Sequence, residues 1–315
     1  MKMLTRSETA AFLLHNDRFA ILTHRKPDGD TLGSAAALCL GLRQLGKTAH
    51  VLTNPETGPR LAFLLEGLTK EEAAEEDTIV AVDVASPNML PGCFAGYTAR
   101  TALRIDHHGS FTPFAEQELV DSTSASCAEL IGELLAEMEV RLDRKLADAL
   151  YVGISTDTGC FRYANTTAHT FRAAAACAEA GAEIFRLNQM LFETNSLAKL
   201  RMHAWIAENL RLFDGGKKAI VAIPRAVEDL IGVTEEDMDN ISSFARTVEG
   251  VCMAATLRQT KDGITKLSLR AVPGYDAAAV CAHFGGGGHK GAAGGSSPLS
   301  LEETAKQLEE IMRNM

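Results

Sequence analysis

Four short segments of this chain run into aspartate or histidine at the point where they lose their apolar character, and this restricts the fold more than any other feature. Phe19–Thr23 leads into His24 and a loop holding Asp28 and Asp30 (HRKPDGD), and Thr78–Val84 (TIVAVDV) carries Asp83 near its end. Thr101–Ile105 (TALRI) is followed by Asp106-His107-His108, and the Leu150–Ile154 segment enters a loop with Asp157. The β-like runs alternate with Ala/Leu-rich stretches of helical character: Gly33–Leu45, a helix from Ser126 to about Glu139, and Arg144–Gly153. Ser126 with Glu129 is a capping-box signature for the second of these. Strands alternating with helices predict an α/β fold with a mostly parallel sheet covered on both faces. The carboxyl ends of parallel strands converge on one crevice. Four separate segments would therefore bring His and Asp side chains to a single place.

The rhythm changes in the second half. Thr170–Ala182 and Ser196–Leu210 read as helices, Gly215-Gly216 punctuates the chain, and Ala219–Ile223, Gly250–Arg258 and Thr265–Ala271 read as β-runs with an Asp262-Gly263 turn. This predicts a first domain over residues 1–190, a helical connector over 191–212 and a smaller α+β domain over 213–315.

Four aspartates in one crevice raise one another's pKa and need counter-charge. Two divalent cations would supply it, and His24, Asp28, Asp30, Asp83, His107 and Asp157 make six ligands, enough for two ions if one carboxylate bridges. Imidazole and carboxylate without thiolate suit Mn²⁺ or a similar ion better than structural zinc. A metal pair can generate hydroxide and clamp both oxygens of a phosphoryl displacement, so the chemistry suggested is hydrolysis of a phosphate ester or anhydride. Taken singly, each Asp is most simply a helix cap or turn former and each His an ordinary hydrogen-bonding residue. The four clusters in order favour the metal reading.

A second landmark is Phe284-Gly285-Gly286-Gly287-Gly288-His289-Lys290, followed by Gly291-Ala292-Ala293-Gly294-Gly295. Successive glycine N–H groups can approach an anion closely, and a helix N-terminus after them would strengthen the grip. Residues 241–295 carry six basic residues, Arg246, Arg258, Lys261, Lys266, Arg270 and Lys290, against Glu249, Asp262 and Asp276. A basic segment inside an acidic chain reads as a phosphate or nucleotide grip. Arg162 and Asn165 read as structural loop residues at least as readily as substrate contacts. Trp205 reads as packing, and Thr234 with Asp237 as a helix cap.

The whole chain has 315 residues and a net charge of −10, which argues against coating long nucleic acid. Seven scattered cysteines without a Cys-x-x-Cys pair fit a reducing cytoplasm better than a disulfide framework. The first residues show no signal-peptide core, and no apolar run approaches the ~18 residues of a membrane span. A soluble cytoplasmic protein is expected.

HRKPDGD, the Asp83 run, Asp106-His107-His108 and the STDTG segment at 155–159 resemble the four motifs of the DHH phosphoesterases. GGGGHKGAAGG resembles the signature of the DHHA1 domain. The resemblance spans about His24 to Gly295 and is nearest to the oligoribonuclease/pAp-phosphatase (NrnA-type) branch. It implies that His24, Asp28 and Asp83 hold one Mn²⁺ and that Asp30, Asp83, His107 and Asp157 hold the other, with Asp83 bridging. It further implies that His108 contacts the scissile phosphate or assists the leaving group, and that Asp106 orients an imidazole. His289 with Gly286, Gly287 and Gly288 would hold the far phosphate or nucleotide end, with Arg246 and Arg270 as additional grips, in a cleft between the domains. Gly291 departs from the larger residue that many relatives carry there. The implied substrates are very short RNAs, cleaved to mononucleotides, and adenosine 3′,5′-bisphosphate (pAp), and a homodimer is implied as well. Hydrolysis of cyclic di-AMP or its linear product pApA is the alternative. An inorganic pyrophosphatase or exopolyphosphatase and a non-catalytic nucleotide sensor are further ones. No Ser-Arg-Lys-Lys type motif supports the pyrophosphatase, and a complete ligand set argues against the sensor.

Overall fold

The computed structural model describes residues 1–238 and 241–315, and its contacts divide the chain into two units, Met1–Thr194 and Asn195–Met315. In the first unit the strands are β1 (Lys2–Met3), β2 (Phe19–Leu22), β3 (Ala49–Leu52), β4 (Thr69–Lys70), β5 (Thr78–Val82), β6 (Thr101–Asp106) and β7 (Gln117–Val120). They form one sheet in the order β1-β7-β6-β5-β2-β3-β4, and every pairing among the described residues is parallel. The helices are α1 (Arg6–His15), α2 (Gly29–Gln44), α3 (Cys127–Glu137), α4 (Arg144–Asp157), α5 (Ala168–Glu179) and α6 (Ile184–Asn188).

β2 and β5 are buried nearly throughout because both faces of the sheet are covered. Side chains alternate across a strand, so Phe19, Ile21, Val80 and Val82 join the helical core with Leu38, Leu42, Leu130, Leu134 and Leu146. Ala20, Leu22, Ile79 and Ala81 face the other way, onto Leu90 and Phe94. That second face is covered by 3₁₀ turns, Pro87–Met89 and Gly92–Arg100, in place of longer helices. The chain runs from β2 outward to β3 and β4, then returns to β5 on the other flank of β2 and proceeds to β6 and β7. The carboxyl ends of β2 and β5 are thus a topological switch point, where open α/β sheets bind ligands.

Three boundaries differ from the sequence reading. Asp28 accepts hydrogen bonds from the N–H groups of Asp30 and Thr31, so α2 starts at Gly29 and Asp30 lies in its first turn, not in a loop. α4 continues to Asp157, which closes a helix instead of sitting in a loop after a strand. Ser126 does cap α3 through the Glu129 N–H, and the helix stops at Glu137. β1, β3, β4, β7 and α1 were not anticipated. Two or four residues supply too little periodicity to mark a strand.

The second unit contains α7 (Leu197–Asn209), β8 (Arg211–Phe213), β9 (Lys218–Ile223), α8 (Arg225–Ile231), α9 (Ile241–Phe244), β10 (Met253–Gln259), β11 (Thr265–Ala271), α10 (Ala277–Ala282), β12 (Gly287–His289), β13 (Ala292–Ser297) and α11 (Leu301–Arg313). Its sheet runs β12-β13-β11-β10-β9-β8, with β9 and β10 parallel and the other pairs antiparallel. Leu257, Leu269, Val280, Leu308 and Met312 fill one core, and Met202 and Ile206 of α7 join Val221, Ile223 and Ile241 in another. The helix read as a connector is therefore packed into the second unit. Thr234 and Asp237 bond each other's backbone N–H reciprocally ahead of the short Glu236–Met238 turn, as their spacing predicted.

α2 and α4 pack closely through small residues. A Cβ added at Gly33 would stand 2.4 Å from the Ala149 carbonyl oxygen and 2.9 Å from the Gly153 nitrogen, both backbone atoms. Gly33→Ala is expected to destabilise the protein by about 1–3 kcal/mol. Gly58→Ala, where nothing lies within 4 Å, should change stability by less than about 0.5 kcal/mol. Denaturant midpoints of the two variants test this.

Candidate metal centre

The His and Asp residues that follow β2, β5 and β6 meet those at the start of α2 and the end of α4. His24 Nε2 lies 3.7 Å from Asp28 Oδ1 and 3.6 Å from Asp83 Oδ2. His107 Nε2 lies 3.6 Å from Asp30 Oδ2, 3.5 Å from Asp83 Oδ1 and 3.7 Å from Asp157 Oδ2. These separations are too long for hydrogen bonds. Two donors each about 2.1 Å from one ion, at an angle of about 110–120°, stand about 3.4–3.6 Å apart. The structure thus brings the six candidate ligands into two groups, His24–Asp28–Asp83 and Asp30–His107–Asp157, that could each hold a metal ion, and a third group, Asp83–His107–His108, overlaps both. Asp83 faces both, one oxygen toward each, and its buried Oδ1 has no hydrogen-bond partner in the protein.

Local structure prepares each donor. His24 Nδ1 is 2.8 Å from the Arg25 carbonyl oxygen, which can only accept, so Nδ1 carries a proton and Nε2 is the nitrogen turned to the site, free to bind a cation once its own proton is displaced. Asn54, not foreseen from sequence, donates to that residue's own carbonyl and to Thr23 Oγ1. Asp30 receives the first N–H groups of α3, from Cys127 to Oδ2 at 2.7 Å and from Ala128 to Oδ1 at 2.8 Å. Asp83 holds a left-handed backbone, φ 57°, as its N–H turns to the Ile105 carbonyl. Left-handed φ is uncommon outside glycine and concentrates at functional sites.

The electrostatics are those of a site built for cations. Burial lifts Asp83 well above the ordinary carboxylate range, with Asp30 adding to it. Burial also raises Asp30, against the pull of His107 and with the push of Asp157 and Asp28, to about 7. Asp157 is pushed up to about 6 by burial and Asp28. It also ends a helix, where the macrodipole disfavours an anion. Burial opposes a charge on His24, yet Asp28 and Asp83 bring its imidazole up to about 11.

His108 is placed differently. Its Nδ1 is 3.6 Å from Asp83 Oδ1 but donates to Asp106 Oδ1 at 2.8 Å. That bond, stronger than the opposing effect of burial, pushes its pKa up to about 9. Asp106 also accepts the N–H groups of His107 and His108, and it is not in either donor group. Burial works to raise Asp106, but His108 and Arg104 hold it below the usual carboxylate range. Arg104 and its partner Glu118 are both fully buried and were missed. The signal was an arginine inside the apolar run TALRI.

In the second unit the glycine run forms no loop at a helix N-terminus. Gly287–His289 is strand β12, paired with β13, and no helix follows it directly. A Cβ at Gly286 would meet the Gly294 carbonyl oxygen at 2.1 Å, and one at Gly288 the Ala292 oxygen at 2.6 Å. Close backbone contact within the hairpin thus demands these glycines. His289 and Arg270 flank Ala292 in register on β12 and β11, so the three share one face of the sheet. Arg246 lies apart from that row, on the short turn Ala245–Thr247. Asn165 donates to the Ala125 and Asp157 carbonyls and Arg162 Nε to the Gly159 carbonyl.

The model of the DHH family, N-terminal domain, matches residues 18–154, and that of the DHHA1 domain matches 222–314. The chain is 32% identical to the bifunctional oligoribonuclease and PAP phosphatase NrnA of Thermus thermophilus, over 93% of this chain and 88% of that one. The chain belongs to the DHH–DHHA1 phosphoesterase family. It is accordingly a hydrolase, and its two donor groups are where metal ions could be held. It is also 26% identical, over 96% of its length and 48% of the relative's, to the cyclic-di-AMP phosphodiesterase GdpP of Geobacillus thermodenitrificans. An exopolyphosphatase-related protein from Bacteroides fragilis shares the fold, with a TM-score of 0.88 and 21% identity over 98% of this chain and 96% of that one. Among the described residues no helix is long and apolar enough to cross a membrane.

The raised pKa values fix the sign of a pH dependence. Asp30, Asp83 and Asp157 hold protons in the folded metal-free protein that the unfolded chain releases above about pH 4, and His24 and His108 hold theirs above about pH 6.5. Each contribution is largest at low pH and is lost as pH rises through the folded pKa. The melting temperature of metal-free protein should therefore fall from pH 5 to pH 8. The increase produced by added Mn²⁺ should grow over the same interval, because binding displaces those protons. Thermal melts with and without Mn²⁺ check both slopes.

Proposed function

We propose that the protein is a Mn²⁺-dependent phosphoesterase that hydrolyses short oligoribonucleotides to mononucleotides and removes the 3′-phosphate of pAp. The observation that carries this reading is Asp83, whose two oxygens face the two donor groups at 3.6 and 3.5 Å. The relative named as an oligoribonuclease and PAP phosphatase, similar over nearly the whole chain, supports the substrate class.

In this reading His24, Asp28 and Asp83 hold one divalent cation, and Asp30, His107 and Asp157 hold a second, with Asp83 shared. When bound, the pair supplies Lewis acidity and lowers the pKa of water at the phosphorus centre. The protein's residues do the rest. Asp106 fixes the Nδ1–H tautomer of His108, which leaves Nε2 to hold a proton and give it to the leaving oxygen as the P–O bond breaks. His289 and Arg270, on one face of the second sheet, with Arg246 and the backbone of Gly286–Gly288, hold the distal phosphate or nucleoside. Net charge repels long RNA, whereas a short substrate presents few phosphates. A cytoplasmic location fits such a substrate. Cleavage of cyclic di-AMP or pApA is the second reading, favoured by the similarity to GdpP.

The test is a parallel assay in Mn²⁺ with an RNA length series, pAp, cyclic di-AMP, pApA and pyrophosphate, the products separated by chromatography. Turnover of pAp and of the shortest RNAs, fading with length and abolished by Asp83→Ala, is expected. His289→Ala should raise KM about tenfold or more, as loss of a charge-assisted phosphate contact does, with Mn²⁺ affinity unchanged. Preference for pyrophosphate, or Mn²⁺ binding without turnover of any substrate, would refute the proposal.

A further inference from the structure

A charged network lies beneath His108, on the face of the sheet opposite the helical core. Arg104 and Asp106 are two apart on β6 and so share that face, and Glu118 of β7 stands beside Arg104 in register. All three are fully buried. The guanidinium divides its donors: Nη1 bonds Asp106 Oδ2 at 2.7 Å and the Val84 carbonyl at 3.1 Å, and Nη2 bonds Glu118 Oε2 at 2.7 Å. The other Glu118 oxygen accepts the N–H groups of Phe114 and Ala115. The rings of Phe111 and Phe114 lie over the guanidinium, at 4.6 and 5.7 Å from ring centroid to Cζ.

We infer that Arg104 and Glu118 are positioning residues for His108, acting through Asp106. This rests on the role proposed above for His108. Asp106 Oδ1 takes three hydrogen bonds from the His107–His108 segment, and among the described residues only Arg104 fixes its other oxygen. A carboxylate held at one oxygen can swing, whereas one held at both fixes the direction of the Nδ1–H bond and hence the imidazole plane. Glu118, anchored by two backbone amides, holds the guanidinium in turn. The Val84 contact adds the residue after Asp83, so the same side chain ties the carboxyl end of β5 to that of β6. Ion pairs buried this deeply can often be replaced by apolar residues without loss of stability. The fork-shaped linkage across β5, β6 and β7 is what an apolar substitute could not reproduce.

The test separates positioning from folding. Arg104→Met alone leaves Glu118 without its cation, so it is combined with Glu118→Gln, which keeps an oxygen for the Phe114 and Ala115 amides. The double variant is expected to melt near the wild type and bind Mn²⁺ within about twofold, while kcat on pAp falls about tenfold or more at nearly constant KM, as misorientation of a reacting group predicts. In Mg²⁺-loaded protein with ¹⁵N-labelled histidine, the slowly exchanging downfield Nδ1 proton of His108 should disappear. Wild-type kcat with that proton retained would overturn the inference. If the double variant does not fold, Arg104→Lys decides. Its ammonium cannot span both carboxylates, so a folded variant with lowered kcat supports positioning and an unchanged kcat overturns it. If the wild type hydrolyses no phosphoester, the proposed function fails on its own. The proton signal then decides the positioning question: lost in the variant, it supports the linkage, and unchanged, it refutes it.

Discussion

Asp30 and Asp83 are buried side chains of like charge, and most of the first unit is arranged around keeping them together. Burial makes both harder to ionise, Asp30 adds to that at Asp83, and Asp157 and Asp28 add to it at Asp30. Left to packing alone, such a pair would be displaced by apolar residues. Here it is held by backbone. The start of α3 turns its first amides onto Asp30, so the helix dipole favours that anion. The turn after β5 is forced into a left-handed conformation at Asp83. Gly153 then lets α4 pass close to Asp30, since a Cβ there would come within 2.9 Å of its Oδ1. The positions of α2, α3 and α4 against the sheet and the spacing of the donor groups are consequences of the same constraint.

The helix ends are used in opposite senses. Asp28 and Asp30 sit at the start of α2, where negative charge is favoured, and Asp28 serves as cap and donor together. Asp157 sits at the end of α4, where negative charge is disfavoured and no basic residue occupies the last turn. A carboxylate so placed gains most from a cation at the shared crevice. The bland interpretation of these aspartates as caps and the functional one as ligands are therefore compatible, and for Asp28 the cap is what aims the side chain.

The parts of the site that were legible in sequence are those carried by one residue type at one strand end: His24, Asp83 and the Asp106-His107-His108 triplet follow compact, largely apolar β-runs that are easy to recognise. Asp30 and Asp157 were legible as residues but not as helical positions, because the cap at Asp28 and the last turn of α4 depend on hydrogen bonds that spacing does not reveal. The network under His108 was opaque for another reason. Arg104 and Glu118 lie 14 residues apart and meet only through the register of β6 and β7, and β7 has too short and mixed a sequence to mark itself. The glycine run misled in its local structure, since glycines needed for backbone contact within a hairpin look the same in sequence as glycines needed to cradle an anion.

The distribution of charge in each unit fits the substrate class proposed above. The first unit gathers carboxylates that call for divalent cations, and the second places Arg270 and His289 in one row of a sheet whose surrounding segment is basic. A divalent pair neutralises four carboxylates but leaves the protein as a whole negative, so a polyanion gains attraction only where it meets cations or the basic row. Each additional phosphate beyond those two places adds repulsion in place of contact. Under the proposed function, short substrates would be selected by this balance of Coulomb terms, and the preference should weaken as salt screens the repulsion over the Debye length of about 10 Å at 0.1 M.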